Sequence, residues 1–215
     1  MSATIDRYVA GIEQGKKDKI MRKFLIRARN TPVDASAFRG GIGGDVHVEY
    51  LIQVIQQAML VSKGHRADTV ITLVLEHSAD YSRAISIEGS CLGSLAGWHE
   101  AALVALLADI LNAGSRLTKE ETLTYGEGLT VSATSFERLL PESPRLFILD
   151  RKGSDIRGVT DLSDAVFVMT DHIPMPKNTL KHLSRLGALP LSLGPTMLHT
   201  SQCMSVIHNE LDRRG

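Results

Sequence analysis

Apolar and polar positions repeat along this chain with two different periods. From Arg22 to Arg29, Phe24, Ile26 and Ala28 fall on one face of an extended segment and Lys23, Leu25, Arg27 and Arg29 on the other, which predicts a strand. After the breaker Gly40-Gly41-Ile42-Gly43-Gly44, the residues Val48, Leu51, Ile52, Ile55 and Met59 recur at helical spacing. Thr69 to Leu75 reads as a fully apolar strand and Ala84 to Ile87 as a short one; Trp98 to Leu111 reads as a long helix stopped by Gly114. Further strands are predicted at Gly128–Ala133, Leu146–Leu149, Ala165–Met169 and Leu189–Leu193, with helices near Ser135–Leu140 and Lys177–Leu186 and a closing helix over His199–Arg213. Continuous apolar strands between helices predict a single-domain α/β fold with a mostly parallel sheet covered on both faces.

Composition narrows the function classes more than the fold. A chain of 215 residues with 43% hydrophobic content can bury one sizeable core. Its formal net charge of zero provides no global attraction to nucleic acid, so RNA binding would need a local patch. Arg22, Lys23, Arg27 and Arg29, with Lys16, Lys17 and Lys19 upstream, form the dense basic run that could supply phosphate contacts, or else an exposed, solvated strand face. Cys91 and Cys203 stand far apart without metal spacing, which points to a reducing, cytoplasmic setting and not to a disulfide framework. No apolar run approaches the roughly 20 residues of a membrane span. Residues 1–20 stand apart: Ile5, Tyr8, Val9 and Ile12 could line a helix face, but Lys16-Lys17-Asp18-Lys19 interrupts it, and the segment is expected to be a mobile extension.

Several short motifs lose their chemistry on inspection. The glycines at 40–44 lack both G-x-G-x-x-G spacing and a Walker lysine. His99-Glu100 begins like a zincin helix, but Leu103 stands where the second histidine is required. His199 and Cys203 share a helical face without a third ligand, so no metal is expected. Gly89-Ser90-Cys91-Leu92-Gly93 has the form of a nucleophile elbow with Cys91 as nucleophile, and a cysteine-dependent α/β hydrolase is the competing enzyme class.

The last quarter is the most specific. Leu149-Asp150, Thr170-Asp171-His172 and Leu193-Gly194-Pro195-Thr196 each end a predicted strand, and strand ends are where an open α/β sheet binds its ligand. The phrases Phe167-Val168-Met169-Thr170-Asp171-His172 and Leu191-Ser192-Leu193-Gly194-Pro195, with the closing helix, resemble the knotted SPOUT superfamily of S-adenosylmethionine-dependent RNA methyltransferases. Within it they are most similar to the archaeal tRNA pseudouridine N1-methyltransferases and their bacterial relatives. The resemblance covers most of Met21–Arg213. It implies a methyltransferase domain over 21–215 with a trefoil knot in about 145–213, S-adenosyl-L-methionine as cofactor, tRNA as substrate, and a cytoplasmic homodimer. Carried over by position, it assigns cofactor contacts to Leu149, Thr170, Leu193, Gly194, Pro195, Thr196, Met197, Leu198 and Cys203. This chain departs from the archaeal phrase at Thr170, where glycine is usual. It departs also near Glu49, which stands close to the place of an aspartate, with His47 in place of an arginine.

Pseudouridine N1 is an imide-like N–H that becomes nucleophilic as its proton leaves, so the implied reaction needs a group that orients and helps to deprotonate. Asp171 is the first candidate base or orienter and Glu49 the second; the alternatives are a turn or cap role for Asp171 and a solvated helix position for Glu49. Cys203, Ile207 and Leu211 recur every four residues on the closing helix, either as a pairing seam or as a face packed on the chain's own sheet. The substitution at Thr170 also keeps open a SPOUT-like protein that binds RNA without transferring methyl groups.

Overall fold

The computed structural model describes residues 21–140 and 145–214; the expected helix face and lysines before residue 21 lie outside them. Among the described residues, ten strands and five helices follow one another. The strands are β1 (Arg22–Pro32), β2 (Leu60–Val61), β3 (Gly64–His65), β4 (Thr69–His77), β5 (Arg83–Glu88), β6 (Thr122–Gly126), β7 (Leu129–Ser132), β8 (Leu146–Asp155), β9 (Val166–Thr170) and β10 (Leu189–Ser192). The helices are α1 (Ala35–Gly40), α2 (Val48–Met59), α3 (Glu100–Ala113), α4 (Lys177–Arg185) and α5 (Thr200–Asp212).

Among the described residues eight strands form one sheet in the order β10-β8-β9-β1-β4-β5-β7-β6, and β2 pairs with β3. From β10 to β4 every pairing is parallel, as the continuous apolar runs predict. Beyond β4 the sheet turns antiparallel. The connection from His77 to Arg83 is too short for a crossover, so β5 can only return as a hairpin. A second hairpin adds β6, which the hydrophobic pattern does not announce because this edge strand is mostly exposed. Gly128 turns that hairpin at φ +71, and a Cβ there would stand 2.6 Å from the Glu88 carbonyl oxygen.

β1 lies at the centre, between β4 and β9, and is buried on both sides. Phe24, Ile26 and Ala28 join the larger core layer with α2, α3 and α5, while Leu25 joins the smaller layer with Leu183 of α4. The expected helix at Ser135–Leu140 is only a 3-10 turn over Glu137–Leu139. Phe136 and Leu140 are buried in the smaller layer, so that segment plugs the sheet instead of lying along it.

Two sequence expectations change here. The apolar stripe of Cys203, Ile207 and Leu211 is buried in the chain's own core, so it provides no exposed pairing seam. The basic run is not a free phosphate face either. Arg22 is buried against Asp68 and Asp212, Arg27 pairs with Glu76 and Glu137 and stacks over Phe136, and Lys23 reaches Asp164. Acidic groups distant in sequence use these cations; among the four from Arg22 to Arg29, Arg29 stands most open to solvent.

One irregularity shapes the functional end. β8 pairs with β10 at Phe147 and Ile148, and again only at Ser154 and Asp155, so residues 149–153 leave the ladder. Gly153 permits the re-entry: a Cβ there would lie 2.4 Å from the Pro190 carbonyl carbon, a backbone contact that cannot move aside.

Candidate cofactor and base site

Where β8 leaves its ladder and β9 and β10 end lies a cavity of about 710 Å³, within the range of small-molecule and cofactor pockets. Three loops wall it. The unpaired stretch within β8 contributes Leu149, Asp150 and Arg151; the end of β9 contributes Thr170, Asp171 and His172; and the turn after β10 contributes Leu193, Gly194, Thr196, Met197 and Leu198. Thr200 and Cys203 close it from the start of α5. Of the nine residues expected at the cofactor, all but Pro195 line this cavity. Of the two expected bases, Asp171 lines it and Glu49 does not.

The third loop is bent by Gly194, at φ +125 with nothing within 4 Å of where a Cβ would be. That leaves backbone facing open space, the form in which a ligand can approach closely. The Ser192 hydroxyl accepts from the Gly194 N–H at 3.2 Å and steadies the turn. Loop and helix are tied to β9 by Thr200, whose hydroxyl donates to the carbonyls of Thr170 at 2.6 Å and Asp171 at 3.1 Å. The wall is thus apolar along Leu149, Leu193, Met197 and Leu198, with a polar end at Thr170, Asp171 and Thr200. An adenosyl group with a charged amino-acid tail fits such a division, and the residues present are compatible with S-adenosylmethionine.

Asp171 is the most unusual polar group of the site. Its side chain is 2% exposed. Oδ1 accepts from the Ile173 N–H at 2.9 Å, whereas Oδ2 is buried without a hydrogen-bond partner and stands 3.7 Å from Nδ1 of His172. Burial pushes this carboxyl above its ordinary range, against the hydrogen bond from Ile173 and the neighbouring His172. A cavity-lining carboxylate with a raised pKa and one oxygen without a hydrogen-bond partner can receive a proton.

Glu49 is built differently. Oε1 lies 3.0 Å from Nδ1 of His47 and Oε2 accepts from the Gly43 N–H at 3.1 Å. Desolvation works against its charge, but these hydrogen bonds prevail and hold it below the usual carboxylate range. Both oxygens are therefore engaged, Oε1 in holding His47 at the N-terminus of α2 and Oε2 in anchoring Glu49 to the Gly43 backbone. His47 in turn meets Tyr50 and His172, and Tyr50 meets His199. In the sequence His47 stands out only as a substitution, His199 only as a metal ligand set aside for want of a third partner, and Tyr50 not at all. The available signal was His47 and Tyr50 three apart at a helix start.

The cysteine-hydrolase reading fails on geometry. Cys91 sits in a 3-10 turn after an antiparallel strand, not at a strand-to-helix elbow, and its Sγ meets the Glu88 carbonyl at 3.9 Å. Cys203 is buried beside the cavity, and desolvation raises its thiol to about 11, which keeps it protonated at neutral pH. Among the described residues no cluster of three or more His, Cys, Asp or Glu side chains could hold a metal ion. No described helix is long and apolar enough to cross a membrane.

Residues 21–215 match the family described as "Putative SAM-dependent RNA methyltransferase". The chain belongs to this family. It is 43% identical over 197 residues to a protein of Vibrio cholerae serotype O1, spanning 90% of this chain and 98% of that one. It is 42% identical over 195 residues to a protein of Shewanella baltica, spanning 89% and 98%. Both relatives bear the name "Putative pseudouridine methyltransferase". Among solved structures, Archaeoglobus fulgidus Nep1 bound to S-adenosylhomocysteine superposes with a TM-score of 0.60 at 11% identity, covering 90% of this chain and 98% of that one. At that identity the likeness concerns the fold, and it agrees with the SPOUT-like α/β arrangement expected from the sequence.

Proposed function

We propose that this S-adenosylmethionine-dependent RNA methyltransferase modifies N1 of a pseudouridine in tRNA, with Asp171 as the group that takes the N1 proton. The observation that carries the reading is Asp171 itself, which lines a cavity of cofactor size and keeps a buried Oδ2 without a hydrogen-bond partner. The names of the relatives from Vibrio and Shewanella support the choice of base.

When bound, the cofactor supplies an electrophilic methyl group. Leu149, Leu193, Met197 and Leu198 provide the apolar surface that holds it and keeps water out, and the open backbone at Gly194 lets it come close. Thr170, Pro195, Thr196 and Cys203 complete the assigned contacts, Pro195 by shaping the turn rather than by lining the cavity. Asp171 lines the same cavity: its Oδ2 would accept the N1 proton, leaving on N1 the electron pair that would form the new N–C bond while the S–CH3 bond of the bound cofactor breaks and its pair stays on sulfur. Glu49 acts at one remove, as a positioning residue for His47.

We read residues 21–215 as the methyltransferase domain and 1–20 as an extension; the family match beginning at residue 21 supports this division. A trefoil knot over about 145–213 is supported by the order β10-β8-β9, in which the last strand returns across the outside of β8. Homodimer formation and a cytoplasmic setting rest on the family resemblance.

The test is incubation of the protein with methyl-labelled cofactor and paired RNAs that carry pseudouridine or uridine at one position. Label on pseudouridine alone, released as N1-methylpseudouridine on digestion, is the expected result. Label on ribose or on an ordinary base would move the target, and cofactor binding without label on any RNA would remove the transfer reaction.

A further inference from the structure

We infer that His47, Tyr50, His172 and His199 form a stacking ledge that receives the flat face of the target nucleobase beside Asp171. The inference rests on the proposed function, since it adds to that site the surface on which the base would lie.

Four rings from three separate elements meet here. His47 and Tyr50 stack at 5.0 Å between centroids and 25° between planes. His172 stands edge-on to His47 at 5.0 Å and to Tyr50 at 5.6 Å, and His199 lies 5.9 Å from Tyr50. Tyr50 therefore touches every other ring. His172 follows Asp171 directly, and both His172 and His199 line the cavity. The ledge thus begins where the proposed proton acceptor ends.

These rings are not core. The His47 side chain is 40% exposed and that of His172 24%, His199 is exposed and Tyr50 half-buried. An aromatic group assembled to fill the interior would be covered; this one keeps ring surface open at a cavity mouth.

It is also held in place at a cost. His47 adopts a left-handed backbone, φ 54, which a non-glycine residue rarely takes. Its N–H donates to the Gly44 carbonyl at 3.1 Å, and Glu49, anchored by the Gly43 N–H, holds its ring at Nδ1. Strain that the surroundings over-determine is characteristic of functional positions. Metal binding by the three histidines is disfavoured, because they do not converge with other ligands into a metal-holding group. What a row of flat, partly polar rings recognises well is another flat ring with a polar edge, and base-on-aromatic stacking needs no charge on the protein. That matches a chain whose arginines at the centre of the sheet are already paired.

The test uses protein saturated with S-adenosylhomocysteine and an RNA hairpin with one loop pseudouridine, compared with the same hairpin abasic at that position. Fluorescence anisotropy measures both affinities. Wild type should prefer the intact hairpin by about tenfold, the scale of one base stacked on an aromatic side chain. Tyr50→Ala should erase that preference while the abasic hairpin binds as before. Tyr50→Phe, which keeps the ring, should retain it, and His199→Ala at an exposed position should weaken it. Circular dichroism melts establish that the variants are folded. Equal affinity of wild type for both hairpins would overturn the ledge, as would a preference that survives Tyr50→Ala or is lost equally in Tyr50→Phe. Discrimination without methyl transfer would count against the proposed reaction alone, and transfer without discrimination against the ledge alone.

Discussion

Nη1 of Arg22 donates to Nδ1 of His208 at 2.9 Å, joining the first residue of β1 to α5 across 186 positions of sequence. His208 Nε2 lies 3.0 Å from the Ala58 carbonyl, so Nε2 carries the proton and Nδ1 accepts. The ring is buried, and its neutral form is enforced first by desolvation and then by the charges of Arg66 and Arg22, which depress its pKa to about 3. Asp212 closes the cluster with a bidentate pair to Arg66.

Because His208 has a folded pKa far below its ordinary 6.5, the folded state binds fewer protons than the unfolded one in the acid range. Its contribution is complete above pH 6.5 and disappears as pH falls toward 3, a loss on the order of a few kcal/mol. His208→Gln removes the titration while keeping an amide donor for Ala58. Urea unfolding at pH 7 and pH 4.5 should show a smaller acid penalty in the variant than in wild type; equal penalties would assign the acid loss to other groups.

The Asp171 carboxylate has the opposite shift. Its carboxyl is raised by burial, so the basic form is lost at a higher pH than for an ordinary aspartate. Single-turnover methylation should therefore rise with pH through that raised value and then level off. Asp171→Asn should slow the step by at least about a hundredfold, the lower scale of general-base contributions, and flatten the acid limb. Calorimetric affinity for S-adenosylhomocysteine should be little changed. A variant as fast as wild type would transfer the base role elsewhere.

Gly194 stands at φ +125 and faces open space in the third loop. Gly194→Trp should abolish cofactor binding in calorimetry by filling the cavity, and should cost about 1–3 kcal/mol of stability from the backbone alone. Normal binding by a folded variant would displace the pocket from this loop.

The two cysteines should separate cleanly by reactivity. Cys91 is exposed, whereas Cys203 is buried with a thiol raised to about 11. Iodoacetamide at pH 8 followed by peptide mass spectrometry should label Cys91 first and Cys203 only as the protein unfolds. Cys91→Ala should leave methyl transfer intact.

Periodicity makes much of this architecture legible in the sequence. The alternation from Arg22 to Arg29, the apolar run at Thr69 and the helical spacing from Val48 to Met59 each record local burial, which a strand or helix imposes residue by residue. Glycine and proline at strand ends marked the loops around Thr170 and Gly194 for the same local reason. Exposed β6 carried no such record, and at Ser135–Leu140 the burial of Phe136 and Leu140 mimicked a helix face.

What needed the tertiary structure was every relation between distant segments. Sequence marked Arg22 and Arg27 as basic, but only the fold shows them consumed by Asp68, Asp212, Glu76 and Glu137. Sequence marked the stripe of Cys203, Ile207 and Leu211, but its direction, into the chain's own core, depends on packing. Asp171 could be nominated from its motif; its unpartnered Oδ2 and raised pKa arise from burial among neighbours far along the chain. The ledge has the same origin. His47, Tyr50, His172 and His199 become neighbours because the central position of β1 brings the start of α2 beside the ends of β9 and β10, a proximity that no local pattern encodes.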